Sequence, residues 1–191
     1  MPSFTDMIWK EGDENLGGMI GNVYFIPKSF LDVSGVTVDA DGISLTGDIS
    51  VKDPLTQEAV EIYATEDTVQ LTDTQQGSID GENTLQTLIL FHPGGKKEQA
   101  SFKRKITVTP GIWIARDSEG NWRVVGLAAL QDPSTPGAYK LSTDIHARVT
   151  AKEGTQGTRA DTRKGTTYTV TYVCTHEALF YNGAIPRIEE E

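Results

Sequence analysis

Residues 166–174 read Thr-Thr-Tyr-Thr-Val-Thr-Tyr-Val-Cys. In an extended chain Thr167, Thr169, Thr171 and Val173 fall on one side, and Tyr168, Val170, Tyr172 and Cys174 on the other. A two-residue period over this length marks a strand with one face on a core, and no helix can be built on it. The rest of the chain carries the same bias. Thr, Val and Ile number 23, 13 and 14 among 191 residues, against 12 Leu. β-branched side chains pack well on a pleated surface and lose rotamer freedom in a helix. Turn dipeptides recur along the chain: Asp-Gly at 41–42 and 80–81, Asp-Pro at 53–54 and 132–133, Pro-Gly at 93–94, 110–111 and 136–137, and Glu-Gly at 119–120. The expected fold is therefore mainly β, with mostly antiparallel strands in a single domain over 1–191.

Strands are expected at 22–27, 43–51, 85–91 and 166–174, and 144–151 is expected to pair near the last of these. Gly111–Ala115 and Asn121–Val125 flank Arg116–Gly120 and read as one hairpin, with Ile114 opposite Val124 or Trp113 opposite Val125. Asp117–Gly120 reads as a type I turn followed by a left-handed glycine. One short helix is expected over Lys96–Lys105, after the Pro-Gly-Gly break. Two polar stretches, 67–83 and 153–165, read as long loops.

The charge balance limits the partners. With 27 acids against 17 bases the formal net charge is -10, the wrong sign for a protein that wraps nucleic acid. The charge is also divided. Residues 1–82 hold 16 acids and 3 bases, net -13, and residues 83–191 hold 11 acids and 14 bases, net +3. Lys96, Lys97, Lys103, Arg104 and Lys105 stand against Glu98 alone. An acidic part and a basic part allow copies to associate head to tail. The expected interface cations are Lys103, Arg104, Lys105, Arg159, Arg163 and Lys164. The last three sit in the 153–165 stretch, expected to order only against a neighbour.

Cys174 is the only cysteine, so no intrachain disulfide and no cysteine zinc knuckle can form. The N-terminus lacks a basic and apolar leader, and no apolar run approaches bilayer length, so a soluble, non-exported chain is expected. Candidate chemistry is sparse. Cys174 and His176 share a strand face, where a thiolate nucleophile competes with a small buried thiol, and the alternation favours the buried thiol. His92, His146 and His176 have no metal-ligand spacing. Asp39-Ala40-Asp41-Gly42 lacks the twelfth-position Glu of a calcium loop. Gly94-Gly95-Lys96-Lys97 and Gly17–Gly21 fit neither a phosphate loop nor a dinucleotide fingerprint. No enzyme, cofactor or metal is expected. A ligand-binding β-sandwich with Trp9, Trp113 and Trp122 as a sugar platform is the alternative from another class.

Several segments in order resemble a bacteriophage tail-tube or related tail-module protein. They are Gly17–Pro27 (Gly-Gly-Met-Ile-Gly-Asn-Val-Tyr-Phe-Ile-Pro), the helix at 96–105, the Asp117-Ser-Glu-Gly120 hairpin ending at Gly126, the Gly157…Asp161…Gly165-Thr-Thr-Tyr entry to a strand, and Glu177-Ala-Leu-Phe-Tyr181. The resemblance covers 17–27 and 85–181, and 31–83 stands outside it, as an insertion or extended loops. It implies an antiparallel β-sandwich or barrel-like subunit, rings that are usually hexameric, and head-to-tail stacking into a tube. The implied partners are other copies of the chain, other virion tail proteins, and DNA in transit through an acidic lumen, with no membrane insertion. The implied location is the virion tail, assembled in the host cytoplasm. Tail-terminator and head–tail connector rings are near alternatives.

Overall fold

The period-two segment is the longest inner strand but one of a four-stranded sheet in the computed structural model, which describes residues 18–78, 80–142, 144, 147–156 and 163–188. The elements in chain order are β1 (Met19–Pro27), β2 (Leu31–Asp32), β3 (Thr37–Val38), β4 (Ser44–Thr46), β5 (Ser50–Val51), β6 (Val60–Ile62), β7 (Gln70–Gln76) and β8 (Asn83–Pro93). They continue with α1 (Lys97–Ile106), β9 (Gly111–Asp117), β10 (Trp122–Val125), β11 (Ala128–Gln131), β12 (Tyr139–Ser142), β13 (Arg148–Thr155), β14 (Gly165–Cys174) and β15 (Leu179–Tyr181). The fold is mainly β with one short helix, as expected.

Two large sheets face each other. One has the order β3-β4-β15-β10-β9-β1-β6 and the other β13-β14-β8-β7. All pairings are antiparallel except β15 with β4. Between the sheets lie Val23, Phe25, Trp113, Ala115 and Val125 from the first, and Leu88, Leu90, Tyr168, Val170 and Tyr172 from the second. The Tyr168, Val170, Tyr172, Cys174 face of β14 is buried, as the alternation predicts. Phe25 and Trp113, cross-strand partners, hold their rings 4.8 Å apart.

The larger sheet is buried on its other face too. Ile26, Ile112, Ile114, Val124, Leu179 and Tyr181 pack there against Leu31, Val36, Leu45, Ile49, Val51, Leu127 and Ala129. This explains why Gly111–Ala115 has no polar alternation: all five residues are buried, as in a strand covered on both sides. Residues 31–59 supply most of this second cover, Leu127 and Ala129 the rest, and residues 31–83 also supply strands to both large sheets.

The helix begins one residue later than expected, at Lys97. Gln99 fixes its start: Oε1 accepts the Lys96 N–H at 2.8 Å and Nε2 donates to the Pro93 carbonyl at 3.1 Å. Ile106 and Phe102 turn inward, Phe102 edge-on to Tyr168. At the other end Lys152 Nζ donates to the Lys103 carbonyl at 3.3 Å and to Thr107 Oγ1 at 2.8 Å, where the helix dipole favours a cation.

Several expectations are corrected. The strand expected at 43–51 is two, β4 and β5, because Gly47 at φ +93 breaks it. The loop expected over 67–83 contains β7, which pairs with β8 along its whole length. The stretch expected as a loop at 153–165 starts with three residues of β13 and ends on the first of β14. The strand expected at 144–151 runs instead from Arg148 to Thr155 and does pair with β14. The first strand starts at Met19, three residues before the expected Asn22. In the hairpin, Ile114 faces Val124 and Trp113 faces Val125 together, since both pairs belong to one register.

Candidate functional site

Cys174 and His176 lie at the end of β14, where a nucleophile and base would have to work. Their polar atoms are occupied by the fold. The Cys174 thiol donates to the His176 carbonyl at 3.0 Å and accepts from Gln86 Nε2 at 3.1 Å. Gln86 is fully buried, and its Nε2 also donates to the His176 carbonyl at 3.0 Å. His176 Nε2 accepts the Ala129 N–H at 2.8 Å, and Nδ1 meets the Glu177 carbonyl at 2.6 Å. This pattern requires the neutral ring with its proton on Nδ1. The thiol and the ring stand 4.0 Å apart at Nδ1, a nitrogen already committed. Burial pushes the Cys174 thiol up, away from the thiolate. The cluster ties the β14–β15 turn to β8 and β11.

His92 is held the same way. Nδ1 sits 2.7 Å from the Tyr63 carbonyl, and Nε2 accepts from Gln99 Nε2 at 3.0 Å. His146 lies outside the described residues. Among the described residues no group of three or more His, Cys, Asp or Glu could hold a metal ion. Asp39 Oδ1 accepts the N–H groups of Ile43 and Ser44, which accounts for the Asp-Gly turn. Gly94, at φ +106, forms the turn before α1.

Of the three tryptophans, Trp113 is 1% exposed and belongs to the core, so it cannot serve a surface platform. Trp122 is half-buried and edge-on to Tyr24 at 5.7 Å, with Arg116 over its ring. Trp9 lies outside the described residues.

Five of the six expected interface cations are described, three in α1 and two just before β14. Arg104 and Lys105 are exposed and Lys103 half-buried, and all three sit in the last helical turn. Arg163 and Lys164 are exposed just before β14, and the Lys164 carbonyl accepts the Gly94 N–H at 2.8 Å. Arg159 lies outside the described residues. Among the described residues the ion pairs are those of Arg187 with Glu58 and Glu61. Among the described residues none of the cations near α1 has a carboxylate partner.

Topology supplies what residue types alone did not. The four-stranded sheet ends in β13 on one side and β7 on the other, and each pairs on one side only. On and beside β13 stand Arg148, Lys152, Arg163 and Lys164 against Glu153, with the cationic last turn of α1 bonded to Lys152. On and beside β7 stand Glu66, Asp67, Asp73, Asp80 and Glu82. No Lys or Arg occurs between Lys52 and Lys96. One sheet thus has a basic edge and an acidic edge. The 43-residue gap in basic residues was a readable signal, but its position on an edge was not, because β7 reads as a loop.

Asp73 shows the electrostatic state of the acidic edge. Its Oδ1 accepts the Ala178 N–H at 3.2 Å, yet desolvation, with the nearby Glu177 charge, raises its carboxyl above the ordinary range. Asp73, Glu82 and Glu177 line one open cleft with Gln75, Asn83 and His176. Among the described residues no helix is long and apolar enough to cross a membrane. Comparison of the chain with protein-family models, with curated proteins and with solved structures finds no match.

Proposed function

We propose that this chain is a structural subunit that assembles with copies of itself into rings, and that the rings stack as the tube of a bacteriophage tail. The observation that carries the reading is the four-stranded sheet with a basic β13 edge and an acidic β7 edge. An unpaired strand is a template for another strand. Opposite charges on the two edges favour β13 of one copy against β7 of the next, and disfavour pairing of like edges. Such a contact is heterologous, so it repeats until it closes on itself or grows as a filament. β7 and β13 have 7 and 8 residues, so their lengths match.

Further support comes from what the chain invests in structure. The thiol and both described histidines are spent on internal hydrogen bonds, which suits a building block. Net charge of -10 suits a conduit that repels passing phosphates. In this reading Arg163 and Lys164 belong to the basic edge and meet the acidic edge of the next copy, with Lys103, Arg104 and Lys105 beside them. The test is light scattering and negative-stain electron microscopy of the purified protein. Rings or tubes whose abundance falls with added salt support the reading. A monomer at all concentrations, or a closed two-fold dimer, overturns it.

A further inference from the structure

Three consecutive residues of an edge strand border one cavity. β6 ends the seven-stranded sheet and pairs on one side only, with β1. Val60, Glu61 and Ile62 all line a cavity of about 220 Å³, together with Glu98, Gln99 and Phe102 of α1. Side chains of a strand alternate between its faces, so three in a row line a cavity only where it runs along the strand's edge. The space is a groove between an unpaired strand edge and a helix, with Val60, Ile62 and Phe102 as apolar walls. Such a groove suits an extended segment, which adds its backbone to the strand and places a side chain in the pocket. Engineered apolar cavities of about 150 Å³ accept benzene, so this one holds an aromatic side chain.

The polar groups of the lining are committed, with one exception. Gln99 is bonded to Lys96 and Pro93, and Glu61 is paired with Arg187 at 3.2 Å. Glu98 is exposed at the rim and has no ion-pair partner among the described residues. The chain carries a segment of matching chemistry. Residues 1–17 lie outside the described residues. Their apolar side chains gather in Phe4-Thr-Asp-Met-Ile-Trp9, and the mostly polar Lys10-Glu-Gly-Asp-Glu-Asn-Leu-Gly17 follows. Lys10 is the only Lys or Arg before Lys28. β6 lies opposite Val23–Phe25 of β1, roughly 20 Å along the strand from Gly18. The chain from Trp9 to Gly18 spans about 30 Å when extended, so it reaches the groove of its own copy.

We propose that the N-terminal segment Phe4–Trp9 docks in this groove of its own copy as a strand added to β6, with the Trp9 side chain in the cavity and the Lys10 ammonium at Glu98. Burying the indole against Val60, Ile62 and Phe102 supplies the main attraction, as aromatic anchors do at interfaces. The opposite charges of Lys10 and Glu98 fix which way the segment enters. A tether whose reach covers the span gives the segment a high effective concentration at its own groove, which favours it over the same segment of another copy. The site draws on none of the edge residues of the four-stranded sheet, so it stands apart from the assembly reading.

The test places the photocross-linker p-benzoylphenylalanine, itself aromatic, at position 9 of the full chain. After irradiation the products are separated by mass and mapped by peptide mass spectrometry. The expected result is a product of single-chain mass that joins position 9 to residues 60–62 or 98–102. The same group at position 13, in place of Asp13, is expected to join these residues at least several-fold less. A product from position 9 that maps elsewhere, a product that joins two copies, or no product overturns the proposal. So does equal labelling of the groove from positions 9 and 13.

Discussion

Single residues in this chain are mostly employed as fasteners, and their chemistry follows from that. His176 accepts the N–H of buried Ala129, so His176→Ala should strand that donor and cost about 1–3 kcal/mol in denaturant unfolding. A loss well under that would show the N–H finds water. Asp73 makes a pH prediction. Its folded carboxyl holds its proton to higher pH than the unfolded one, mainly through desolvation. Its contribution therefore favours the fold at low pH and is lost as pH rises through the raised folded value. Asp73→Asn keeps a carbonyl for the Ala178 N–H and removes the charge. It should be more stable than the parent near about pH 7, with the gain shrinking toward about pH 4. A variant less stable at neutral pH would contradict the sign. None of these roles was readable from residue types. The Cys174–His176 spacing suggested shared placement on a strand, but Gln86 and Ala129, which occupy their polar atoms, are far away in sequence.

At the scale of elements, legibility depended on how much apolar pattern each strand carries. β14 and the β9–β10 hairpin were readable because one is strictly alternating and the other combines a fully apolar strand with a glycine turn. Gly120 sits at φ +93, its N–H donates to the Asp117 carbonyl at 3.1 Å, and Asp117 Oδ1 accepts the Asn121 N–H at 2.8 Å. Gly120→Val should cost about 1–2 kcal/mol, because a β-branched residue is forced into the left-handed region. Thermal unfolding at the parental midpoint would refute this. β7 was unreadable for the opposite reason. Gln-Leu-Thr-Asp-Thr-Gln-Gln offers one large apolar side chain, and its pairing rests on backbone hydrogen bonds to β8. Edge strands at a wet surface need no apolar alternation. The break at Gly47 within 43–51 was visible as a glycine, but its φ of +93, and the Gly35 carbonyl that a side chain there would meet, are tertiary facts.

For the whole molecule, the central sheet with a core on each face determines what can be removed. Residues 31–59 cover Ile26, Ile112, Ile114 and Val124, all fully buried. Replacing 31–59 by a short Gly-Ser linker should expose that face and give an insoluble or aggregated chain. A soluble variant with a cooperative transition would show that the segment is an appendage. The resemblance over 17–27 and 85–181 omits residues 31–59, which form most of this cover, so the pattern of segments could not reveal that the sheet has two cores.

Assembly through the two oppositely charged edges of one sheet, as proposed above, can be probed by a charge swap. Arg148→Glu with Arg163→Glu reverses the basic edge, and Glu66→Lys with Glu82→Lys reverses the acidic edge; all four residues are exposed. Particle mass is measured for the parent, for each variant alone and for the two variants mixed. Edge-to-edge assembly gives rings or tubes from the parent, impaired assembly when either variant must join its altered edge to an unaltered one, and recovered contacts in the mixture, where reversed edges meet. Each pair contributes only about 0.2–1 kcal/mol, but every interface repeats it. Normal assembly of each variant alone, or no assembly of the parent under any condition, would rule out pairing of these two edges.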